Sequence, residues 1–188
     1  MFWIVNDNFR KMKSIPIQDF LIRVNELWLK QWFLLTSGDY KSNHFNTMAV
    51  AWGYFGVLWN KPCATVFVRP TRFTYEFINR YDTFTLCSFN KSYKDDLSLL
   101  GTLSGRDGDK IAQTRLSIIP SQKIPAPAFK EAELIIECKK IYLDNLKPEN
   151  FLDESIKKEY PKKDYHWMYF GEIVEIRGID DYRASPKY

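Results

Sequence analysis

Alternation of apolar and polar residues predicts the strands of this chain. In residues 63–69, CATVFVR, the small and branched apolar residues fall on one face of a pleat, and Thr, Phe and Arg fall on the other. Pro62 precedes this stretch and Pro70 follows it. Because proline cannot donate to a sheet ladder, the strand ends at Arg69.

The stretch Asn46–Gly53 has two unlike faces. Met48, Val50 and Trp52 form a bulky face, and the residues between them are small. A nearly bare strand face allows a ring or another backbone to approach closely. Four further strands are predicted, at Trp32–Ser37, Thr83–Phe89, Ala132–Tyr142 and Trp167–Arg177.

Helices are expected to be few and short. They are predicted at Gln18–Leu29, after an N-cap at Thr71, from a capping box at Ser92 to Leu100, and near Asp107. No helix of crossover length recurs between the strands, so the pattern favours a mainly β fold with short helices (α+β), arranged as an antiparallel Greek-key barrel. We expect an extension at residues 1–13 and a single domain at 14–188.

Composition narrows the classes of partner. The 188 residues include 27 basic and 23 acidic residues, interspersed, with a net charge of +4. Neither nucleic acid nor an anionic membrane is therefore the default partner. Cys63, Cys87 and Cys138 are isolated in apolar surroundings, which predicts buried free thiols in a reducing compartment. No stretch is long enough to span a membrane, and we expect a cytoplasmic protein.

The sequence lacks the motifs of several common types of cofactor-binding and catalytic site. The sequence contains no GxGxxG, no Walker loop and no GxSxG, and its two histidines and scattered cysteines do not suit a metal site. No catalytic triad is assigned.

Four clusters remain as candidate chemistry. Each has a structural explanation as well: a turn entering a strand, a pair of surface arginines, a solvated capping loop, or a packed histidine. As a functional set they offer amides, hydroxyls and cations at strand ends and helix starts, which suit a phosphorylated heteroaromatic ligand. The clusters are Asn46-Thr47-Met48 with Trp52, Arg69-Pro70-Thr71-Arg72-Phe73-Thr74, Ser104-Gly105-Arg106-Asp107-Gly108-Asp109-Lys110, and Asp164-Tyr165-His166-Trp167-Met168-Tyr169.

In combination, these residues resemble the flavin reductase family, whose members bind FMN on a split β-barrel. The resemblance spans roughly residues 28–176. It includes Val68-Arg69-Pro70, Arg72-Phe73-Thr74-Tyr75-Glu76-Phe77, Ser104-Gly105-Arg106-Asp107, and Tyr165-His166 followed by Gly171-Glu172-Ile173-Val174. Ala49 and Ala51 depart from the family pattern, in which Thr or Ser is common.

The resemblance implies roles for individual positions. It places Asn46, Thr47, Met48, Ala49 and Trp52 along the isoalloxazine ring, and Arg69, Arg72 and Thr74 at the ribityl phosphate and the adjacent ring edge. Ser88 and Phe89 would wall the pocket. Ser104, Gly105, Arg106 and Lys110 would add polar contacts near the phosphate, and His166 would approach the ring. It also implies a homodimer with FMN near the subunit interface.

The leading functional hypothesis is an FMN-dependent oxidoreductase. Hydride would pass from NAD(P)H, whose nicotinamide stacks on the flavin, to bound FMN and then to free flavin or another acceptor. An FMN-binding electron carrier without reductase turnover would use the same pocket. A small barrel that stacks nucleic-acid bases on its aromatic residues is a third alternative, less favoured because the cations gather at strand ends.

Overall fold

The computed structural model describes residues 12–185. Strands predominate in this part of the chain, and the helices are short. The strands are β1 (Lys13–Ser14), β2 (Phe33–Asp39), β3 (His44–Val50), β4 (Gly53–Leu58), β5 (Lys61–Val68), β6 (Thr83–Ser88), β7 (Ile118–Ile119), β8 (Ala128–Phe129), β9 (Leu134–Asn145) and β10 (Trp167–Gly178). The helices are α1 (Val24–Glu26), α2 (Phe73–Arg80) and α3 (Lys94–Thr102).

Short non-α turns complete the described structure. A π-turn at Leu27–Gln31 continues α1, and 3₁₀ turns lie at Ile17–Asp19, Lys91–Tyr93, Ile111–Gln113, Pro148–Asn150, Glu154–Glu159 and Asp180–Tyr182.

One antiparallel sheet organises the fold. Its strand order is β3-β2-β6-β9-β10-β5-β4, with β1 added to β10, and β7 and β8 form a separate pair. β3 and β4 stand at opposite ends of this order, yet only Ala51 and Trp52 separate them in the chain. The two edges therefore meet at that corner, which curls the sheet into a split barrel. The predicted mainly β, antiparallel split-barrel fold is confirmed.

The core consists of two layers, one on each face of the curled sheet. Phe33 and Leu35 of β2 belong to the cluster that also contains Phe84 and Tyr169, whereas Leu34 belongs to the cluster beneath α3. This two-residue alternation is the pleat that the sequence predicted.

The three cysteines are buried and unbridged, as expected. Burial raises the pKa of Cys87 to about 12, so this thiol stays protonated at neutral pH.

The predicted strand Asn46–Gly53 is wrong at its second half. β3 ends at Val50, which pairs with Phe33, and the chain then turns through Ala51 and Trp52. Gly53 begins β4, a strand that the sequence did not predict, and it pairs with Val66 of β5. A Cβ at Gly53 would overlap the ring of Trp28, so only glycine fits at this corner.

The first predicted helix, Gln18–Leu29, is also wrong over its first half. The N–H of Leu21 donates to the Tyr182 carbonyl (3.0 Å), and Phe20 forms a β-bridge with Arg183. These bonds to the C-terminal segment replace helical ones. Apart from the 3₁₀ turn Ile17–Asp19, helical structure begins only at Val24.

The predicted helix caps differ from the observed ones. α2 has Arg72 at its N-cap rather than Thr71, and α3 has Tyr93 there rather than Ser92; neither residue caps with its side chain. Near Asp107 the chain forms only the 3₁₀ turn Ile111–Gln113, whose first N–H groups donate to the Asp109 carboxylate.

Candidate functional site

Two adjoining cavities form one cleft beside β3. The narrow cavity, of about 70 Å³, lies between β3, the start of α2 and the segment after α3, and the wide cavity, of about 190 Å³, lies at the β3–β4 corner. Met48 and Arg72 line both cavities. The narrow cavity is lined by Asn46, Met48, Thr71, Arg72, Phe73, Thr74, Leu100, Gly101, Thr102, Leu103, Ser104, Gly105 and Lys110. The wide cavity is lined by Met48, Ala49, Val50, Ala51, Trp52, Phe67, Arg69, Arg72 and His166.

The polar wall of the narrow cavity is held together by side-chain contacts. Asn46 Nδ2 donates to Thr74 Oγ1 (2.7 Å), and both residues are buried. Gly105 lies so close to Asn46 that a Cβ would overlap Asn46 Oδ1. The three clusters that the sequence singled out at β3, at the start of α2 and after α3 therefore meet here, although 28 residues separate Asn46 from Thr74.

Two cations in the narrow cavity lack a carboxylate partner among residues 12–185. Lys110 is only 5% exposed, and its Nζ donates to the carbonyls of Leu100 (2.8 Å) and Leu103 (3.1 Å). Arg72 Nη1 donates to the Gly101 carbonyl (3.2 Å). Burial, and secondly the charge of Arg72, lower the pKa of Lys110 to about 8. Uncompensated positive charge in a recess favours an anion.

The other two arginines of the predicted set already have acidic partners. Arg69 Nη1 contacts both carboxylate oxygens of Asp164 at 3.1 Å. Arg106 pairs with Glu76 and lies over the ring of Phe73, 4.8 Å from its centroid. Of the four predicted phosphate-side cations, Arg72 and Lys110 thus carry the free charge, and Arg69 faces the wide cavity as half of an ion pair.

The wide cavity has an aromatic and imidazole wall. The ring centroids of Trp52 and His166 lie 4.7 Å apart, with 42° between the planes. His166 is 8% exposed, and its Nδ1 lies 2.8 Å from the Tyr160 hydroxyl. Burial, and then the charge of Arg69, lower the pKa of His166 to about 4, so the imidazole is neutral at pH 7. Opposite it, Ala49 and Ala51 leave open space along the strand.

Three residues that the resemblance placed around the ring point elsewhere. Thr47 is fully buried and bonds Thr36 Oγ1 (3.0 Å) and the Leu35 carbonyl (3.1 Å), because the pleat turns it away from Met48. Ser88 is also fully buried, and Phe89 lines a different cavity beside Leu97. Neither of these two residues walls the cleft within the described chain.

Ser104 does line the narrow cavity, and its Oγ accepts the N–H of Arg106 (3.2 Å). Sequence reasoning missed Tyr160, which supports the wide cavity from the segment between β9 and β10, and it included Asp164 only as a neighbour of His166. The signal for Tyr160 is weak, because charged residues predominate in 147–164 and only Phe151 and Tyr160 add aromatic rings among them.

Two negative findings apply to the part of the chain that the structure describes. Its helices include none of the length and apolarity needed to cross a membrane. It also contains no grouping of three His, Cys, Asp or Glu side chains suited to a metal ion.

Comparison with known proteins identifies the family. The model of the flavin reductase like domain matches residues 30–186, which include both cavities of the cleft. The chain belongs to the flavin reductase-like family. Its narrow cavity and its aromatic wall therefore lie within the family's defining domain.

Individual relatives agree with this assignment. An uncharacterized protein of Pyrococcus abyssi (strain GE5 / Orsay) is 29% identical over 145 residues, which cover 76% of this chain and 70% of that protein. Flavoredoxin of Desulfovibrio vulgaris (Miyazaki F) is 25% identical, with a TM-score of 0.60 over 78% of this chain and 68% of that one. An FMN-binding domain of a flavin reductases-like enzyme from Shewanella baltica OS155 shares the fold, with a TM-score of 0.65, 15% identity and coverage of 90% and 78%.

Proposed function

We propose that this flavin reductase-like protein binds FMN in the cleft and uses it to pass hydride from NAD(P)H to free flavin or another acceptor. The observation that carries the proposal is the pair Arg72 and Lys110. Both line the narrow cavity, and neither has a carboxylate partner among the described residues. A phosphate dianion is the ligand whose charge matches two close cations.

The residues of the cleft fit FMN from end to end. Arg72, Lys110, Thr74 and Ser104 provide cationic and hydroxyl groups for a phosphate in the narrow cavity. The wide cavity begins at the shared Met48 and continues past the small side chains of β3 to Trp52 and His166. A planar ring joined to a phosphate by a short polar chain follows the same course, from the wide cavity to the narrow one.

FMN, when bound, supplies the hydride chemistry, and the protein supplies binding, orientation and electrostatics. Arg72 lines both cavities, so its charge acts on the ring edge as well as on the phosphate. Neutral His166 offers hydrogen bonding without adding charge to the ring pocket. The nicotinamide of NAD(P)H would stack on the open face of the ring.

A homodimer belongs to the same proposal, and the surface of β4 supports it. β4 is the last strand of the sheet order, so one of its edges lacks a neighbouring strand among the described residues. Tyr54 (66% exposed), Val57 (77%) and Trp59 (60%) place large apolar groups on or beside this edge. Light scattering after size exclusion should give twice the mass of one chain, and Val57→Lys should reduce the measured mass to that of a single chain.

A comparison of FMN with riboflavin tests the phosphate site. Arg72→Ala should weaken FMN binding by about 10- to 100-fold, which corresponds to about 1.5–3 kcal/mol for a charged hydrogen bond, and should change riboflavin binding little. Arg106→Ala is the matched control, because that arginine is already paired with Glu76. Equal binding of FMN and riboflavin by the unaltered protein would contradict the proposal.

Turnover needs its own assay. Oxidation of NADH and NADPH is followed with purified FMN-loaded protein, with and without added free flavin. We expect oxidation with one or both nucleotides, accelerated by free flavin. A protein that holds FMN but oxidises neither nucleotide would leave only the electron-carrier function.

A further inference from the structure

The segment between β9 and β10 builds a wall of the wide cavity. This segment, residues 146–166, contains the 3₁₀ turns Pro148–Asn150 and Glu154–Glu159. Tyr160 follows the second turn and is only 5% exposed, although most of its neighbours in sequence are exposed. The segment therefore buries the Tyr160 side chain while most of its charged residues remain in solvent.

Arg69 pins this wall to the barrel through three contacts. Its guanidinium contacts both carboxylate oxygens of Asp164, donates to the Glu159 carbonyl (2.7 Å), and lies 5.0 Å from the centroid of the Tyr160 ring. The ring of Phe151 stacks on the Tyr160 ring, with centroids 5.9 Å apart and 22° between planes. Tyr160 is thus held in place independently of its hydroxyl group.

Among the side chains of residues 12–185, the hydrogen-bond partner of the Tyr160 hydroxyl is His166 Nδ1, at 2.8 Å. The imidazole ring packs against Trp52, which also lines the wide cavity. His166 Nε2 has no hydrogen-bond partner among residues 12–185, and it is not sealed from solvent as Trp28 Nε1 is. Nε2 is therefore the ring nitrogen that remains available to a ligand.

Burial, and secondly the charges of Arg69 and Arg72, lower the pKa of His166 and disfavour its imidazolium form. The charge of Asp164 opposes this effect, but Asp164 is already paired with Arg69. A guanidinium over the phenol ring withdraws electron density, which makes the Tyr160 hydroxyl a better donor and a poorer acceptor. The hydroxyl is therefore the expected donor to Nδ1, which leaves the ring proton on Nε2.

We infer that Tyr160 is a positioning residue that holds His166 as a neutral Nε2–H donor directed at the polar edge of the bound ring. This inference rests on the proposed function for the identity of the ring, and on the structure alone for the Tyr160–His166 pair. The segment between β9 and β10 then determines which nitrogen of His166 carries the proton, and the charged side chains of the segment do not contact the ligand.

Nitrogen NMR of the protein labelled with ¹⁵N-histidine tests the pair directly. The chain has two histidines, and His166→Gln assigns their signals. In the FMN-free protein we expect His166 with its proton on Nε2 and a hydrogen-bonded Nδ1. Tyr160→Phe should shift Nδ1, increase the Nδ1–H population and raise the pH at which His166 protonates. Tyr165→Phe is the matched control. The Tyr165 ring packs against the Tyr160 ring, with centroids 5.0 Å apart, but its hydroxyl has no hydrogen bond in the described structure.

Addition of FMN tests the contact with the ring. FMN should shift His166 Nε2 in the unaltered protein, and Tyr160→Phe should weaken FMN binding by about two- to tenfold, the range of one neutral hydrogen bond. A proton on Nδ1 in the unaltered protein overturns the inference even if the variant fails to fold. Identical nitrogen shifts in Tyr160→Phe, or equal changes in Tyr165→Phe, also overturn it.

The two proposals fail in different ways. FMN that binds without shifting Nε2 refutes the inference and leaves the proposed function intact. A protein that does not bind FMN refutes the proposed function and the ring contact together, while the nitrogen shifts of the FMN-free protein still measure the effect of Tyr160.

Discussion

The titration of Lys110 should control FMN affinity above pH 7. Burial and the neighbouring Arg72 lower the pKa of Lys110 to about 8 in the FMN-free protein. Such a group is about 90% charged at pH 7 and about 10% charged at pH 9. The phosphate of FMN keeps its charge over this range, because its second pKa is about 6. If the phosphate binds the charged lysine, the Kd for FMN rises about eight- to tenfold between pH 7 and pH 9.

Fluorescence titration of FMN and riboflavin at a series of pH values measures this effect. Riboflavin lacks the phosphate, so its Kd should stay flat over the same range. Lys110→Met should weaken FMN binding by about 10- to 100-fold at pH 7, the range of one charged hydrogen bond, and should remove the pH dependence. An equal slope for riboflavin, or an unchanged slope in Lys110→Met, would refute the role of Lys110.

The stability of the FMN-free protein should change in the opposite direction. The folded state releases the Lys110 proton near pH 8, whereas the unfolded chain holds it to about pH 10.5. The unfolded state thus binds more protons between these values, and the free energy of unfolding contributed by this group increases with pH. Urea denaturation at pH 7.5 and pH 9.5, compared with Lys110→Met, separates this contribution from those of other groups.

Further substitutions test a close contact in the narrow cavity and the ion pair between Asp96 and Arg115. Gly105→Ala should reduce both stability and FMN affinity, by about 1–3 kcal/mol for the overpacked contact with Asn46, as measured in a thermal-shift assay with and without FMN. Burial raises the pKa of Asp96, but hydrogen bonds and charge from Arg115 outweigh it and lower that pKa overall. Asp96→Asn should therefore cost about 1–3 kcal/mol in urea denaturation at pH 7. That difference should shrink as the pH falls below about 3.8, because the unfolded chain protonates this carboxyl first and the folded protein does so only at lower pH; a constant difference would contradict the ion pair.

Local pattern was sufficient for the strands whose faces differ in character. β5 and β6 lie within a residue or two of their predicted bounds, because most residues of each are buried and the pleat has a strict period of two. β4 was not predicted, because it lacks such a pattern. Its residues are mostly half-exposed or exposed, and the sequence GYFGVL has no consistent alternation of apolar and polar residues.

The helix caps were harder to predict because local candidates competed with distant partners. Leu21 looked helical, yet its N–H bonds Tyr182, about 160 residues later in the chain. Such a partner leaves no trace in a local pattern. Thr71 was a chemically suitable cap, but the turn from Arg69 to Arg72 moved the start of α2 one residue further.

Residue types and order alone were enough to indicate an antiparallel barrel with cationic and hydroxyl groups at strand ends, since pleat, proline and turn chemistry are local properties. The functions of individual cations were decided only in three dimensions. Arg69 and Arg72 are three residues apart and equivalent in the sequence, but Arg69 meets Asp164, 95 residues away, while Arg72 and Lys110 converge without a carboxylate among the described residues. Charge compensation depends on which chain segments the barrel brings within a few ångströms, and that is a property of its long-range strand pairing.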